Sequence, residues 1–372
     1  MSWSAILAEL ERKRAFSRGM GGEERLAKHH SSGKLDARQR AAALFDEGHY
    51  TEIGGLAANR SEGSDAPAPA DGLIAAFGLI HGKPALAGIE DFTVLAGSIG
   101  DAGSAKRYRL AQLARPERVP LVFMLEGAGH RLTNNHGTPS PNDLQALVEL
   151  SGLVPMVCLV MGASAGHGAL TAPLSDFVVM TQAASMFVAG PPLVKAALGE
   201  VVTKEELGGP AVHVVQSGVA HRLAEDDATA LALARDWLAY VPGNCIKGGD
   251  TGRRALERIL DLVSPDPRIP FDMRQVLAEM VDAGSLFEIQ PDHGGAIVAA
   301  HARLGGQSVA ILANNPAVGA GAIDAAAARK ATRFMRVAQD FGLPMIFLAD
   351  TPGVLPGTAS EKAGALRHAA DM

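Results

Sequence analysis

Two stretches of this chain combine small residues with polar ones in a pattern suited to catalysis by the backbone. They are Glu126-Gly127-Ala128-Gly129-His130-Arg131 and Gly162-Ala163-Ser164-Ala165-Gly166-His167-Gly168. Each follows an apolar run of strand length, Leu121 to Leu125 and Val154 to Met161. Small residues let a backbone approach a bound group closely, and a turn opening a helix leaves N–H groups without partners. If two neighbouring parallel strands end together, one amide from each turn can share a single oxygen. Such a pair would hold a carbonyl oxygen that becomes negative during reaction.

Other chemistries compete for the same residues. Gly162 to Gly166 also fits the G-x-S-x-G elbow of serine hydrolases, with Ser164 as nucleophile, although five-residue patterns arise readily in a Gly/Ala-rich chain. His130 and His167 can act as bases near neutral pH or simply line a pocket. Arg131 can attract an anion or pair with a neighbouring acid, and Glu126 is a strand-end acid. Asp350-Thr351-Pro352-Gly353 imitates a GTPase switch, but no G-x-x-x-x-G-K-[ST] exists to cradle phosphates. Lys106, Arg107, Arg109 and Lys330, Arg333, Arg336 make basic helix faces, either solvated or phosphate-binding.

The elements that must position these groups follow from periodicity. The chain has 372 residues, which suggests two domains or three; it is 47% hydrophobic and 20% charged, as a globular core requires. A net charge of -6 argues against general nucleic-acid binding. No apolar run reaches membrane length and no signal peptide opens the chain, so a cytosolic setting is expected. Cys158 and Cys245 show neither metal spacing nor a disulfide framework, and Cys158 reads as core. Asp36 is placed to cap a helix over Ala37 to Phe45, and Tyr50 to Ile53 reads as a short strand. Leu73 to Ile80 and Ala85 to Glu90 read as a hairpin, Ser104 to Ala114 as a helix and Asn142 to Leu150 as another. Val154 to Met161 is expected to feed its Gly-rich loop directly into a helix. Strands alternating with helices imply an α/β core. Arg60 to Asp71 reads as a loop and Pro242 to Gly252 as a linker at the main boundary.

The second half repeats the first. Gly82-Lys83-Pro84-Ala85-Leu86-Ala87 aligns with Gly306-Gln307-Ser308-Val309-Ala310-Ile311, an offset of 224. The same offset relates Lys106 to Lys330, Pro120 to Pro344 and Gly129 to Gly353. One register held across strand, helix, proline and loop marks two copies of one unit. At this offset the counterpart of Gly162 would be position 386, beyond Met372, so the second copy is expected to lack its own Gly-rich loop.

Taken together, these stretches resemble the carboxyltransferase (β) subunit of biotin-dependent acyl-CoA carboxylases. The resemblance covers nearly the whole chain. Its most specific segments are Val202-Thr203-Lys204-Glu205-Glu206-Leu207-Gly208-Gly209 and Ser217-Gly218-Val219-Ala220-His221. It implies an α/β chain of two crotonase-like (ClpP/crotonase) ββα superhelices, the second incomplete: residues 1–245 binding acyl-CoA and residues 253–372 forming the biotin side. It also implies transfer of CO₂ from carboxybiotin, carried on a partner, to the α (or vinylogous γ) carbon of a short acyl-CoA. The thioester oxygen would be held by Gly166, His167 and Gly168 with Ala128 and Gly129, and the biotin side would map to Thr351, Pro352 and Gly353. Lys106 and Arg107 are the candidates for the CoA phosphates. A biotin carboxylase and biotin carrier, a homo-hexamer of two trimers, and no metal, nucleic acid or membrane complete the expectation. Two departures stand out: His167 intrudes where the family has a Gly pair, and the family's acidic-Ser-Gly-Gly-Ala-Arg stretch reads Glu126-Gly127-Ala128-Gly129-His130-Arg131. The rival functions are a decarboxylase running the same chemistry backwards, a crotonase-like hydratase or hydrolase using Ser164, His130 or His167, and a fragment that only binds CoA or a partner.

Overall fold

The computed structural model describes residues 2–58, 68–131, 142–241 and 256–372. The linker expected at Pro242 to Gly252, with Cys245, and most of the loop Arg60 to Asp71 lie outside these residues. Two compact units are formed, one by Met1–Val212 with Leu223–Arg235, the other by His213–Arg222 with Asp236–Met372.

The first unit is built on strands β1 (Tyr50–Ile53), β2 (Leu73–Ile80), β3 (Lys83–Glu90), β4 (Leu121–Gly127), β5 (Met156–Ala165), β6 (Phe177–Thr181) and β7 (Ser185–Phe187), with β8 (Arg222–Ala224) beside β6. The order is β1-β2-β3-β4-β5-β6-β8, with β7 pairing β5. β1, β2 and β3 are antiparallel neighbours, whereas β3, β4, β5 and β6 run parallel. Parallel strands are covered on both faces, so they read as unbroken apolar runs rather than alternating ones. β4 and β6 are buried at every residue, Cys158 lies in the interior of β5, and burial pushes its thiol up. Each fully buried Leu, Val or Phe there contributes roughly 1.5–3 kcal/mol.

Local signals place the surrounding helices. Asp36 caps the helix Ala37–Leu44 in a capping box with Gln39, as expected, and Thr203 does the same with Glu206 for Lys204–Gly208. The hairpin turn is shorter than the sequence suggested: β3 starts at Lys83, and only His81 and Gly82 turn the chain, with φ of +51° and +71°. The helix expected over Ser104 to Ala114 spans Asp101–Glu117.

The second unit holds β9 (Phe287–Ile289), β10 (Ile297–Leu304), β11 (Gln307–Asn314) and β12 (Met345–Leu348), in the order β12-β11-β10-β9. The repeat is carried residue for residue. Leu73–Ile80 recurs as Ile297–Leu304 and Lys83–Glu90 as Gln307–Asn314, both 224 positions on. The register recurs too, since Leu86 pairs Leu121 and Ala310 pairs Met345. Even isolated bridges repeat, Ile99 with His130 and Ile323 with Val354. A core of Met273, Val276, Leu277, Val298, Val309 and Ile311 closes this unit.

The duplicated lysines are structural, contrary to the phosphate role expected of Lys106. Lys106 is buried, and its Nζ donates to the carbonyls of Ala70 and Leu73 at 2.5 and 2.6 Å. Lys330 is buried likewise, donating to Gln290 and His293 at 2.8 and 3.1 Å. Burial brings both ammonium groups down to about 8. Arg109, Arg333 and Arg336 remain exposed.

Candidate functional site

The parallel pairing of β4 with β5 sets Gly127 opposite Ser164, so the turns that follow the two strands emerge side by side. β5 runs on to Ala165, further than expected, because Ala163, Ser164 and Ala165 pair with Ser185, Met186 and Phe187 of β7. The turn proper is therefore Gly166 to Leu170, and the helix behind it is the single turn Thr171–Leu174. After β4 the chain is anchored by Ile99, whose amide donates to the Gly129 carbonyl at 2.8 Å and whose carbonyl accepts from the Arg131 amide at 2.9 Å. Gly129 has φ +84°, and a β-carbon there would stand 2.6 Å from the Ala165 carbonyl oxygen. The two turns are thus in backbone contact.

Of the five expected donors, two are already spent. The Gly166 amide donates to Phe187 at 3.0 Å and the Ala128 amide to Ala96 at 3.0 Å. The amides of Gly129, His167 and Gly168 have no acceptor among the described residues. Three donors on two touching turns can bind an oxyanion.

A buried ionic chain fixes this turn from behind. His167 Nε2 lies 2.7 Å from Asp143 Oδ1, and Arg107 Nε donates to Asp143 Oδ2 at 2.6 Å. Arg107 Nη2 donates to Thr171 Oγ1 at 2.6 Å, and its guanidinium stacks 4.6 Å from the Phe123 ring centroid. Burial would raise the Asp143 carboxyl, but the His167 hydrogen bond and the Arg107 charge outweigh it and hold it down at about 2. Arg107 is fully buried in these contacts, which takes it, like Lys106, off any phosphate-binding surface. His130 faces His167 edge-on, ring centroids 5.5 Å apart.

The remaining polar candidates are engaged or turned inward. Ser164 is fully buried, and its Oγ has no hydrogen-bond partner among the described residues, so no Ser–His pair of a nucleophile elbow is formed among them. It lies near Glu90, for a β-carbon at Gly168 would be 3.2 Å from Glu90 Oε1 and 3.6 Å from Ser164 Oγ. Burial pushes the Glu90 carboxyl up to about 7 although Arg107 Nη1 is 3.7 Å away. Glu126 is bound by Arg40 at 2.7 Å and Lys34 at 2.6 Å, and these cations hold it low against the effect of burial. Arg131 pairs with Asp71 at 2.7 Å.

A cavity of about 870 Å³ opens in the first unit over the Ala163–Ser185 pair. Lys28 and Lys204 on its lining are exposed and have no acidic partner among the described residues. Sequence reasoning assigned neither lysine to the site: Lys28 stands in a polar, basic segment and Lys204 in a stretch that opens a helix.

In the second unit Thr351, Pro352 and Gly353 occupy the place that Gly127 to Gly129 hold in the first. Ile323 anchors that turn as Ile99 anchors its own, donating to Gly353 at 3.0 Å and accepting from Leu355 at 2.9 Å. The difference is local: Thr351 Oγ1 accepts the Gly353 amide at 3.0 Å and donates to Gly321 at 2.7 Å, and Pro352 has no N–H. Among the described residues no group of three or more His, Cys, Asp or Glu is arranged to hold a metal, and no helix is long and apolar enough to cross a membrane.

Comparison with known proteins gives a consistent outcome. The carboxyl transferase domain model matches residues 28–372. The methylmalonyl-CoA carboxyltransferase 12S subunit of Propionibacterium freudenreichii subsp. shermanii is 35% identical over 376 residues, covering 98% of this chain and 71% of the relative. A propionyl-CoA carboxylase beta chain of Cereibacter sphaeroides is 34% identical over 382 residues, covering 99% and 74%. The crystal structure of transcarboxylase 12S, described as a hexamer with hydrolysed methylmalonyl-coenzyme A bound, superposes with a TM-score of 0.93 at 34% identity, covering 100% of this chain and 74% of that one.

Proposed function

Because the chain belongs to the carboxyl transferase family, as a crotonase-fold carboxyltransferase of the biotin-dependent acyl-CoA carboxylase type, we propose that its first unit binds a short acyl-CoA and holds the thioester as an enolate. The observation that carries this reading is the set of unspent amides at Gly129, His167 and Gly168 on two turns in contact. Removing the α-proton moves charge onto the thioester oxygen, and fixed N–H dipoles lower the cost of that charge without reorganising. The ionic chain Arg107–Asp143–His167 keeps the second turn in place while this happens. Lys28 and Lys204 attract the CoA phosphates to the cavity rim, in place of Lys106 and Arg107.

The second unit takes the biotin side. A β-carbon on Gly353 would meet nothing within 4 Å, which leaves room before the turn for a flat ureido ring. Thr351 and Pro352 are exposed there and would line it. Biotin, carried in carboxylated form on a partner with its biotin carboxylase, supplies the CO₂ unit. The chain's own residues bind the thioester and stabilise its oxygen in a hexamer of two trimers, in the cytoplasm, and no metal takes part.

The experiment is fixation of ¹⁴C-bicarbonate into acid-stable acyl-CoA, with a biotin carboxylase and biotin carrier supplied, across acetyl-, propionyl- and methylcrotonyl-CoA. Label in one product supports the reading and names the acyl chain. No label in any of them, with the protein folded and the partners active, overturns it.

A further inference from the structure

One feature of the site is foreign to catalysis by amides alone. His167 Nε2 is 2.7 Å from a carboxylate that is itself clamped by Arg107. Asp143 is held as an ionised acceptor, so the proton of this hydrogen bond must sit on Nε2. In the neutral ring the lone pair is then on Nδ1, which has no partner among the described residues. The side chain is a quarter exposed. The amide of the same residue is one of the three unspent donors. An imidazole nitrogen and an unspent N–H therefore belong to one residue, the two kinds of group that enolisation of a thioester uses. Glu90 and Ser164 cannot serve, since both are buried beneath Gly168.

We propose that the Asp143–His167 pair gives this chain an activity of its own: exchange of the acyl-CoA α-hydrogen with solvent in the absence of biotin. The Cα–H bond breaks and its proton forms an N–H bond at His167 Nδ1. The electron pair of the broken Cα–H bond enters the bond from Cα to the carbonyl carbon, and the carbonyl π pair moves to the oxygen held by the amides of Gly129, His167 and Gly168. Exchange of the Nδ1 proton with water and reversal of the step return a solvent hydrogen to Cα. No oxidant, reductant or second substrate is needed. The proposal rests on the reading that the first unit binds acyl-CoA.

The test incubates the full chain with propionyl-CoA in D₂O without biotin and measures α-deuteration of the recovered thioester by mass spectrometry. Propionyl-CoA binding is measured in parallel by calorimetry. The expected result is exchange well above buffer, falling by on the order of a hundredfold in His167→Gln while binding holds. Asp143→Asn tests the pair independently: exchange falls, and ¹⁵N NMR of the His167 ring shows Nδ1 losing its unprotonated signature. Binding with exchange at the buffer rate, or exchange unchanged in His167→Gln, overturns the proposal and leaves the carboxyltransferase reading standing. Absence of propionyl-CoA binding overturns the proposal for this thioester, and the carboxyltransferase reading is then decided by the ¹⁴C experiment with acetyl- and methylcrotonyl-CoA.

Discussion

The backbone of Gly129 rests against the carbonyl of Ala165, close enough that a β-carbon at 129 would be 2.6 Å from that oxygen. This contact joins the turn after β4 to the turn after β5, and it is the point at which the donor set is assembled.

Replacing Gly129 should therefore separate the turns. Gly129→Ala meets both the close approach and a φ of +84°, a region that L side chains rarely adopt. Carboxyl transfer should fall by about 10²–10³-fold, the cost of an oxyanion donor. Thermal melting should show a fold that persists. Wild-type transfer rates in this variant would exclude the two-turn site.

Ser164→Ala separates backbone catalysis from hydrolysis. The hydroxyl is buried and has no hydrogen-bond partner among the described residues, so its removal should leave stability unchanged or raise it by about 1 kcal/mol. Transfer should stay within about threefold of wild type, whereas a nucleophile's loss costs several orders of magnitude. A collapse of activity would restore the elbow reading.

The two kinds of lysine should behave oppositely. Lys28→Ala and Lys204→Ala remove exposed charges at the cavity rim and should each raise the KM for acyl-CoA about fivefold, with kcat unchanged. Added salt should shrink the difference. Lys106→Met strands the carbonyls of Ala70 and Leu73 and should cost about 2–3 kcal/mol in urea unfolding, leaving the KM alone. A KM effect at Lys106 without loss of stability contradicts the burial seen here.

Glu90 makes stability fall as pH rises. Its carboxyl is raised from 4.5 to about 7 by burial, so the folded chain keeps a proton that the unfolded chain releases. The loss accumulates between these two values, ends near pH 7, and amounts to on the order of 3 kcal/mol at about 1.4 kcal/mol per unit. Glu90→Gln should remove that component, so the gap between variant and wild type widens from pH 5 to pH 7. Parallel curves would show that Glu90 titrates as an ordinary surface acid.

Much of the architecture was legible in the amino-acid order, because strand runs, capping boxes and turn residues act over a few positions. The constant step of 224 from Lys106 to Lys330 and from Gly129 to Gly353 specified the duplication, and the strand registers repeat it. The small residues at 127–129 and 166–168 marked the two turns that touch in the structure. What the order could not specify was which of those amides stays available, because an amide is spent by a partner remote in the chain. Phe187 takes the N–H of Gly166 and Ala96 takes that of Ala128, leaving those of Gly129, His167 and Gly168 without an acceptor among the described residues. Burial likewise decided the side chains: helical spacing put Lys106 and Arg107 on a basic stripe, but the sheet beneath turned both inward. The partnership of His167 with Asp143 spans 24 positions and joins the start of the helix Asp143–Val148 to the turn after β5. Short-range pattern chose the elements, and packing between distant residues chose which polar groups were left to do chemistry.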